Sequence, residues 1–314
     1  MDKQPILSLC IPTNGAVEWI LPVIESIYSQ GYDNEKFEVV ITDNGKDSQL
    51  PEHIAKMSYP NLHYKQTTDE GFLNLVTSLK EGKGLFCKMI NHRSVMLPGS
   101  IEDLVELVNL YAGNQPIIYC ACGNAKTQEI KECKNLDDFL AGLSYWASWS
   151  AGIGFWRKDI SHFEKIELDE MFPNASLLFG VRDCSEYVIW NKKYMLMEDD
   201  AGKGGYDLFQ TFGVGFLDII NELRIHRRIS QKTFLNIKSD LSDFLNSHYL
   251  SEVLMPTKHT FIIGDVRNSI CVYYSIYDYY EMLIKAWLKA PNSYLRLLLV
   301  RMLSPIFKRE KKKV

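Results

Sequence analysis

The sequence lacks the features that mark several large classes of protein. No uninterrupted apolar stretch reaches the length of a membrane span, since the richest one, 269–288, contains Asp278, Glu281 and Lys285. The seven cysteines include no CxxC pair with metal-ligand spacing. The net charge of −4 does not favour a nucleic-acid partner. No GxGxxG follows the first predicted strand, which argues against a nicotinamide-dependent oxidoreductase.

The N-terminal half does contain an alternation of strands and helices. Short runs of buried-strand type, separated by helical patterns, lie at 6–11, 37–41 and 85–90. This alternation predicts an α/β fold with a mostly parallel, right-handed, doubly wound sheet flanked by helices. Ligands of such sheets bind beyond the carboxyl ends of the strands. We therefore expect Thr13, Asp43 and the segment 91–94 to line one crevice.

Short motifs of distinctive type occur in order along residues 5–110. They are Ile11-Pro12-Thr13-Asn14-Gly15, Ile41-Thr42-Asp43-Asn44-Gly45, Asp69-Glu70-Gly71 with Asn74, and Leu97-Pro98-Gly99. In type, order and spacing they resemble the motifs of family 2 glycosyltransferases of the GT-A type. The later region resembles, more loosely, the O-antigen and capsule branch of that family, which includes abequosyltransferase-like enzymes. The resemblance implies a GT-A fold and a nucleoside diphosphate-sugar donor.

The resemblance also implies which residues bind that donor, most simply a UDP-sugar. The carboxylate of Asp43 would accept the ring N–H of the base, whereas the alternative is an ordinary turn aspartate in Asp-Asn-Gly. The other residues implied for nucleotide-sugar binding are Pro12, Thr13, Asn14, Glu18, Asn44, Gly71, Asn74 and Asn91. Gly71 and Asn74 fit a plain helix start equally well.

The usual metal-binding aspartates of this family are missing. Their positions hold Asn91, His92, Arg93 and Ser94, which are poor ligands for Mg²⁺ or Mn²⁺. In one interpretation Arg93, with His92, replaces the metal as a fixed cation on the diphosphate, because arginine binds phosphate bidentately. In the other, the chain is an inactive relative that binds a partner. We favour the first and expect no metal cofactor, with Mn²⁺ or Mg²⁺ as the family-based alternative.

An inverting transferase needs a general base, which the family takes from a Glu-Asp pair that heads a helix. Here Arg182 stands at the Glu position and Asp183 keeps the Asp, so Asp183 is the predicted base, with a helix N-cap as the alternative role. Asp169 and Glu170 are the other candidates. Three tryptophans beside Ser150-Ala151-Gly152 could stack on an acceptor sugar or pack in the core; they are Trp146, Trp149 and Trp156.

The pattern changes near residue 206, so the predicted division is a catalytic domain at 1–205 and a C-terminal helical region at 206–314. The segment 293–314 is an apolar run followed by a Lys/Arg cluster. Such a segment is typical either of peripheral docking on an anionic membrane or of a packed helix with a solvated tail. The helical region is also a candidate surface for homo-oligomers. Since residues 1–5 lead directly into the first strand, we expect no secretion signal and a cytoplasmic location, on the inner face of the membrane if the tail docks.

The sequence therefore predicts a glycosyltransferase of hexosyltransferase type. It would move a sugar, with inversion, from a nucleoside diphosphate-sugar to a glycan or lipid-linked glycan in bacterial surface polysaccharide synthesis, without a divalent metal. A non-catalytic GT-A-like binding subunit is the alternative.

Overall fold

A computed structural model of the chain describes residues 4–46, 48–182, 186–197, 202, 204–255 and 259–290. The predicted base Asp183 and the predicted membrane-docking segment 293–314 lie outside the described residues.

The strands form several sheets. The largest has the order β3-β2-β1-β4-β8, and the others have the orders β6-β9-β7, β5-β10 and β11-β12. The strands are β1 (Leu7–Thr13), β2 (Phe37–Asp43), β3 (Leu62–Gln66), β4 (Phe86–Met89), β5 (Ser94–Met96), β6 (Ile117–Cys120), β7 (Ile130–Cys133), β8 (Gly154–Trp156), β9 (Tyr187–Trp190), β10 (Met195–Met197), β11 (Gly204–Asp207) and β12 (Thr260–Ile262).

Helices follow most of these strands. They are α1 (Val17–Tyr28), α2 (Leu50–Ile54), α3 (Asn74–Glu81), α4 (Ser100–Tyr111), α5 (Leu136–Leu143), α6 (Arg157–Ile160), α7 (Pro173–Gly180), α8 (Leu208–Gln210), α9 (Leu217–Ile225), α10 (Gln231–His248), α11 (Val266–Cys271) and α12 (276–290). Two π-helical turns, Thr211–Phe216 and Tyr249–Leu254, continue α8 and α10.

The predicted parallel arrangement is confirmed in the largest sheet. β1 pairs in parallel with β2 and with β4, β2 pairs in parallel with β3, and β8 closes the far edge in the antiparallel direction. Every residue of β2 is buried, as expected for a strand that is covered on both faces and therefore reads as a continuous apolar run. Helix α1 buries Ile20, Val23, Ile24 and Ile27.

The polypeptide divides into two compact units. Among the described residues, one consists of those up to 197 together with 224–233, and the other consists of those in 202–223 and 234–290. The second unit is largely helical, and aromatic pairs hold it together internally, such as Phe212 with Phe244, whose ring centroids lie 5.0 Å apart. The helical character predicted for this region is present from Leu208. The strand pair β11-β12 was not predicted.

The side chain of Asn74 joins the ends of β1 and β2. Its amide nitrogen donates to the carbonyl oxygens of Thr13 at 3.1 Å and Thr42 at 2.9 Å. Its amide oxygen accepts from the Thr67 hydroxyl at 3.1 Å, which sets the orientation of the amide. Asn74 is 2% exposed, so these hydrogen bonds do not compete with water. The first residue of α3 thus fixes the carboxyl edge of the sheet.

We expect the substitution Asn74→Ala to lower the free energy of unfolding by about 1–3 kcal/mol, because it removes the donor from two buried carbonyl groups. Urea unfolding monitored by circular dichroism measures the change. Asn109→Ala, at an exposed position of α4, is the matched control and should have an effect within about 0.5 kcal/mol. Equal stabilities of the two variants would mean that Asn74 does not support the sheet edge.

Candidate functional site

The carboxyl ends of β1, β2 and β4 lie side by side at the edge where the sequence predicts a crevice. Thr13 ends β1, Asp43 ends β2, and the segment 91–94 follows β4. The Nδ1 atom of His92 lies 2.9 Å from the hydroxyl oxygen of Thr13, which joins the β4 loop directly to β1. The structure thus brings together the strand-end residues that the sequence analysis selected.

Asp43 is buried and holds the turn that follows β2. One carboxylate oxygen accepts from the backbone N–H of Gly45 at 2.8 Å, and the other accepts from the Tyr64 hydroxyl at 2.9 Å. Burial and the hydrogen bond to Asp43 raise the pKa of Tyr64, so its hydroxyl keeps its proton and donates. Both the turn role and the base-binding role predicted for Asp43 remain compatible with this geometry, but a base could reach the carboxylate only if Tyr64 moved aside.

Other residues assigned to nucleotide binding lie around this edge. The Asn44 amide donates to the carbonyl oxygens of Asp69 at 2.9 Å and Gly71 at 3.2 Å, so it positions the segment before α3. Gly45 must be glycine, because a Cβ there would collide with the Asn14 carbonyl. Pro12 is half-buried, whereas Asn14 and Glu18 are exposed. The buried Asn74 supports this edge through its bonds to the carbonyl oxygens of Thr13 and Thr42.

The segment 91–94, where the sequence resemblance would place metal-binding aspartates, forms a tight turn. The Asn91 side-chain oxygen accepts from the backbone N–H of Arg93 at 2.9 Å, and the Asn91 carbonyl accepts from Ser94 at 2.9 Å. β5 then begins at Ser94 and pairs with β10. Because its oxygen is bound to the turn, Asn91 shapes the loop that presents His92 and Arg93.

Trp19 of α1 contacts the side chains of both Arg93 and His92. The sequence did not single it out. The guanidinium carbon of Arg93 lies 3.2 Å from the centroid of the Trp19 ring, and the rings of Trp19 and His92 are 5.5 Å apart. Stacking on an indole both attracts and orients a guanidinium group. The only signal in the sequence was an aromatic residue beside the buried stripe of α1.

His92 is uncharged at neutral pH, which corrects the expectation that it shares a cationic role with Arg93. Burial and the adjacent charge of Arg93 lower the pKa of His92 from 6.5 to about 4, against an opposing effect of Asp43. A neutral imidazole offers one donor and one acceptor. Arg93 therefore supplies the permanent positive charge of the turn.

Lys88 is a second residue that the sequence analysis missed. It is fully buried in β4, and its ammonium donates to the carbonyl oxygens of Met89 at 2.9 Å, Ile153 at 3.0 Å and Ala151. Burial lowers its pKa to about 8. The bonds tie β4 to the loop at 150–153. A single lysine in an otherwise apolar strand was the available signal.

The three tryptophans near this loop differ in their surroundings. Trp156 is 1% exposed and donates to the Pro116 carbonyl at 2.6 Å, so it belongs to the core and is not available to a sugar. Trp146 and Trp149 are half-buried, and the Tyr119 hydroxyl donates to both of their carbonyl groups. These two remain candidates for stacking.

The alternative base Asp169 has a structural role. One of its oxygens accepts from the backbone N–H groups of Met171 at 2.9 Å and Phe172 at 2.7 Å, just before α7, while Glu170 is exposed. Arg182, at the position of the usual Glu, forms an ion pair of 3.1 Å with the buried Asp159. Among the described residues, Arg182 therefore serves the packing of α6, and Asp183 stays the predicted base.

The described residues do not fit a divalent cation at this crevice. No group of three His, Cys, Asp or Glu side chains among them could hold a metal ion. The Asn91 oxygen is already bound to the Arg93 backbone, and the Arg93 charge would repel a cation.

Comparisons with known proteins agree with this architecture. No protein-family model matches the chain. An uncharacterized glycosyltransferase of Rickettsia prowazekii is 26% identical over 264 residues, which cover 80% of this chain and 75% of that protein. An uncharacterized glycosyltransferase of Rickettsia felis is 26% identical over 116 residues, which cover 37% of this chain. The chain spans only 19% of the length of the R. felis protein.

Solved structures show the fold. S. aureus TarS 1–349 superposes with a TM-score of 0.52 at 14% identity, covering 91% of this chain and 80% of that one. The same protein in complex with UDP-GlcNAc gives a TM-score of 0.52 at 16% identity, covering 78% of this chain and 72% of that one. The predicted GT-A fold is thereby confirmed. Membership of family 2 and of its abequosyltransferase-like branch stays a prediction.

The neutral state of the half-buried His92 predicts an acid-sensitive contribution to stability. Its pKa is lowered on folding, so the unfolded chain binds more protons between pH 6.5 and about 4, and stability is lost as the pH falls through that window. Since His92 is only half-buried, we expect a loss of no more than about 2 kcal/mol. Urea unfolding of the wild type and His92→Gln across this range measures it, and His92→Gln should lack this component. Parallel pH profiles of the two proteins would contradict a lowered pKa of His92 in the folded state.

Proposed function

We propose that the chain is an inverting glycosyltransferase that transfers a sugar from a UDP-sugar to a glycan or lipid-linked glycan. The GT-A fold, the relatives named as glycosyltransferases and the UDP-GlcNAc complex of TarS support this proposal. The role in bacterial surface polysaccharide synthesis is part of the proposal and rests on the sequence resemblance.

The observation that carries the proposal is the position of Arg93. Its guanidinium is held against Trp19 at the crevice where the strand-end motifs meet, beside the Thr13 and His92 pair. A nucleoside diphosphate leaves with developing negative charge, and a fixed, oriented cation stabilises such charge in the transition state. Arginine suits this task because its planar fork matches two phosphate oxygens.

The neighbouring residues would orient this contact. Thr13 and His92 lie at hydrogen-bond distance, so the neutral imidazole is held in one orientation without adding a second charge to the Arg93 site. Asp43 would bind the base on the other side of Thr13. In this proposal the diphosphate spans the distance between the two, and no step requires a divalent metal.

The acceptor would bind on the side of the loop at 144–152. The half-buried rings of Trp146 and Trp149 lie 6.1 Å apart at nearly right angles, which forms an aromatic corner. The Asn174 amide donates to the Ser148 carbonyl at 3.0 Å and holds the chain between them. Aromatic faces of this kind pack against the apolar face of a sugar ring. Asp183 is the proposed base for the acceptor hydroxyl.

The proposed location is the cytoplasm, at the inner face of the cell membrane. Among the described residues, no helix combines the length and apolar character that crossing a bilayer would require.

Binding of UDP tests the role of Asp43. Asp43→Ala should weaken binding by roughly 1–3 kcal/mol, because it removes a charged acceptor. Tyr64→Phe should bind UDP at least as well as the wild type, because it removes the hydroxyl that occupies the same carboxylate. Calorimetric titration measures both variants. Unchanged affinity in Asp43→Ala would remove Asp43 from the site, and equal losses in both variants would mean that Asp43 acts only as a support.

Transfer or donor hydrolysis in excess EDTA tests the role of Arg93. Activity should persist, with little gain from added Mn²⁺. Arg93→Ala should lose about 10²–10³ in rate, the typical cost of one oriented electrostatic contact in the transition state. Arg93→Lys should recover only part of the rate, since lysine lacks the bidentate fork. Trp19→Ala should cost about 5-fold, in line with a cation–π contact of about 1 kcal/mol, and Trp19→Phe should cost less.

The exposed Arg227→Ala is the matched arginine control and should keep full activity. If EDTA abolished activity and Mn²⁺ restored it, the enzyme would use a metal and the Arg93 proposal would be wrong. If no donor were turned over and UDP did not bind, the chain would be the non-catalytic binding subunit.

A further inference from the structure

Helix α12 carries a row of exposed aromatic and aliphatic side chains. Their exposed fractions are 81% for Tyr277, 50% for Tyr280, 59% for Ile284, 62% for Trp287 and 73% for Leu288. The spacing of three, four, three and one residues places them within about 100° of one helix face. We call these five residues the aromatic stripe.

The opposite face of α12 is the one that packs. Met282 is 4% exposed and Ala286 is fully buried, and the Met282 carbonyl accepts from the buried Asn246 amide of α10 at 2.7 Å. The helix is therefore seated within its unit through that face. A single exposed apolar residue is ordinary, but a contiguous row on one helix marks an interaction surface.

The composition of the stripe indicates the kind of partner. Tyrosine and tryptophan side chains favour the boundary between bilayer and water, because one end of each ring system is apolar and the other is polar. The Lys285 ammonium on this helix is paired with the Glu281 carboxylate at 2.7 Å, so the charge that favours an anionic surface comes from the segment that begins at Lys289.

The charge of the adjoining sequence points to an anionic surface. Residues 289–314 contain eight Lys or Arg and a single Glu, a net charge of +7, although the whole chain has a net charge of −4. An apolar helix face next to such a basic segment matches the apolar boundary and the negative headgroups of an anionic membrane. A protein partner would have to present an apolar surface and negative charge side by side.

We propose that the aromatic stripe docks on an anionic lipid bilayer, with α12 lying in the plane of the surface. In this proposal the basic segment 289–314 attracts the chain to the anionic headgroups, and the stripe inserts into the apolar boundary of the bilayer. This inference does not depend on the transferase activity, since vesicle binding is measured without a sugar donor. The experiments distinguish the bilayer from two alternative occupants, which are a second copy of the chain and the apolar residues 294–303 of the same chain.

Fluorescence of Trp287 in the full chain tests the proposal directly. The chain has six tryptophans, so the emission of the Trp287→Phe variant is subtracted from that of the wild type to isolate Trp287. Vesicles of phosphatidylcholine with added phosphatidylglycerol should shift the isolated emission to the blue, and lipids brominated near the headgroup should quench it. Vesicles of phosphatidylcholine alone should have a much smaller effect.

Co-sedimentation with the anionic vesicles gives the matched comparison. Leu288→Gln should weaken binding about 3-fold or more, because it removes one inserting leucine. Leu110→Gln, at another exposed helical leucine with an exposed fraction of 65%, should bind like the wild type. Both positions are exposed, so the melting temperature of each variant should stay unchanged and show that folding is intact.

Three results would overturn the proposal. Equal binding of Leu288→Gln and Leu110→Gln, with unmoved Trp287 emission, would show that the stripe does not insert. A doubled mass in light scattering that Leu288→Gln abolishes would identify a second copy as the occupant. Blue Trp287 emission without vesicles, lost when 294–303 is deleted, would identify the chain's own segment.

Discussion

The side-chain amide of Asn74 is the interaction on which the crevice depends. A parallel ladder leaves carbonyl groups without strand partners where two strands end, and those groups are costly when buried. Asn74 supplies two donors to the ends of β1 and β2, and Thr67 fixes its orientation. Asn74, the first residue of α3, therefore positions Thr13 and the Thr13 hydroxyl that lies beside His92.

The same edge holds the cation of the proposed site. Arg93 stays charged under all relevant conditions, whereas partial burial and the Arg93 charge lower the pKa of His92 and keep its imidazole neutral. One positive group is thus held in place, without a second that would repel it. The Trp19 ring holds the guanidinium in a plane, so that fewer rotamers are lost when a phosphate binds. In the proposed site, one oriented arginine takes the charge-stabilising role of a metal ion.

Strand β4 also connects this edge to the side proposed for the acceptor. An ammonium group has three N–H donors, and the Lys88 ammonium finds three carbonyl oxygens, two of them on the loop at 150–153. A buried lysine without them would be strongly destabilising. The strand that leads to Arg93 therefore also holds the chain next to Trp149. Both halves of the proposed site depend on the same strand.

The sequence by itself determined the parallel sheet, the order of its motifs and the edge at which Thr13, Asp43 and Arg93 meet. These features follow from local patterns, because buried strands read as apolar runs and parallel strands end at one edge. It could not reveal the stacking of Arg93 on Trp19, the three carbonyls around Lys88 or the ion pair of Arg182 with Asp159. Only the tertiary structure decided these contacts. Apart from the bond of Lys88 to the adjacent Met89, each joins residues that are more than twenty positions apart, and their geometry depends on how whole helices and strands pack.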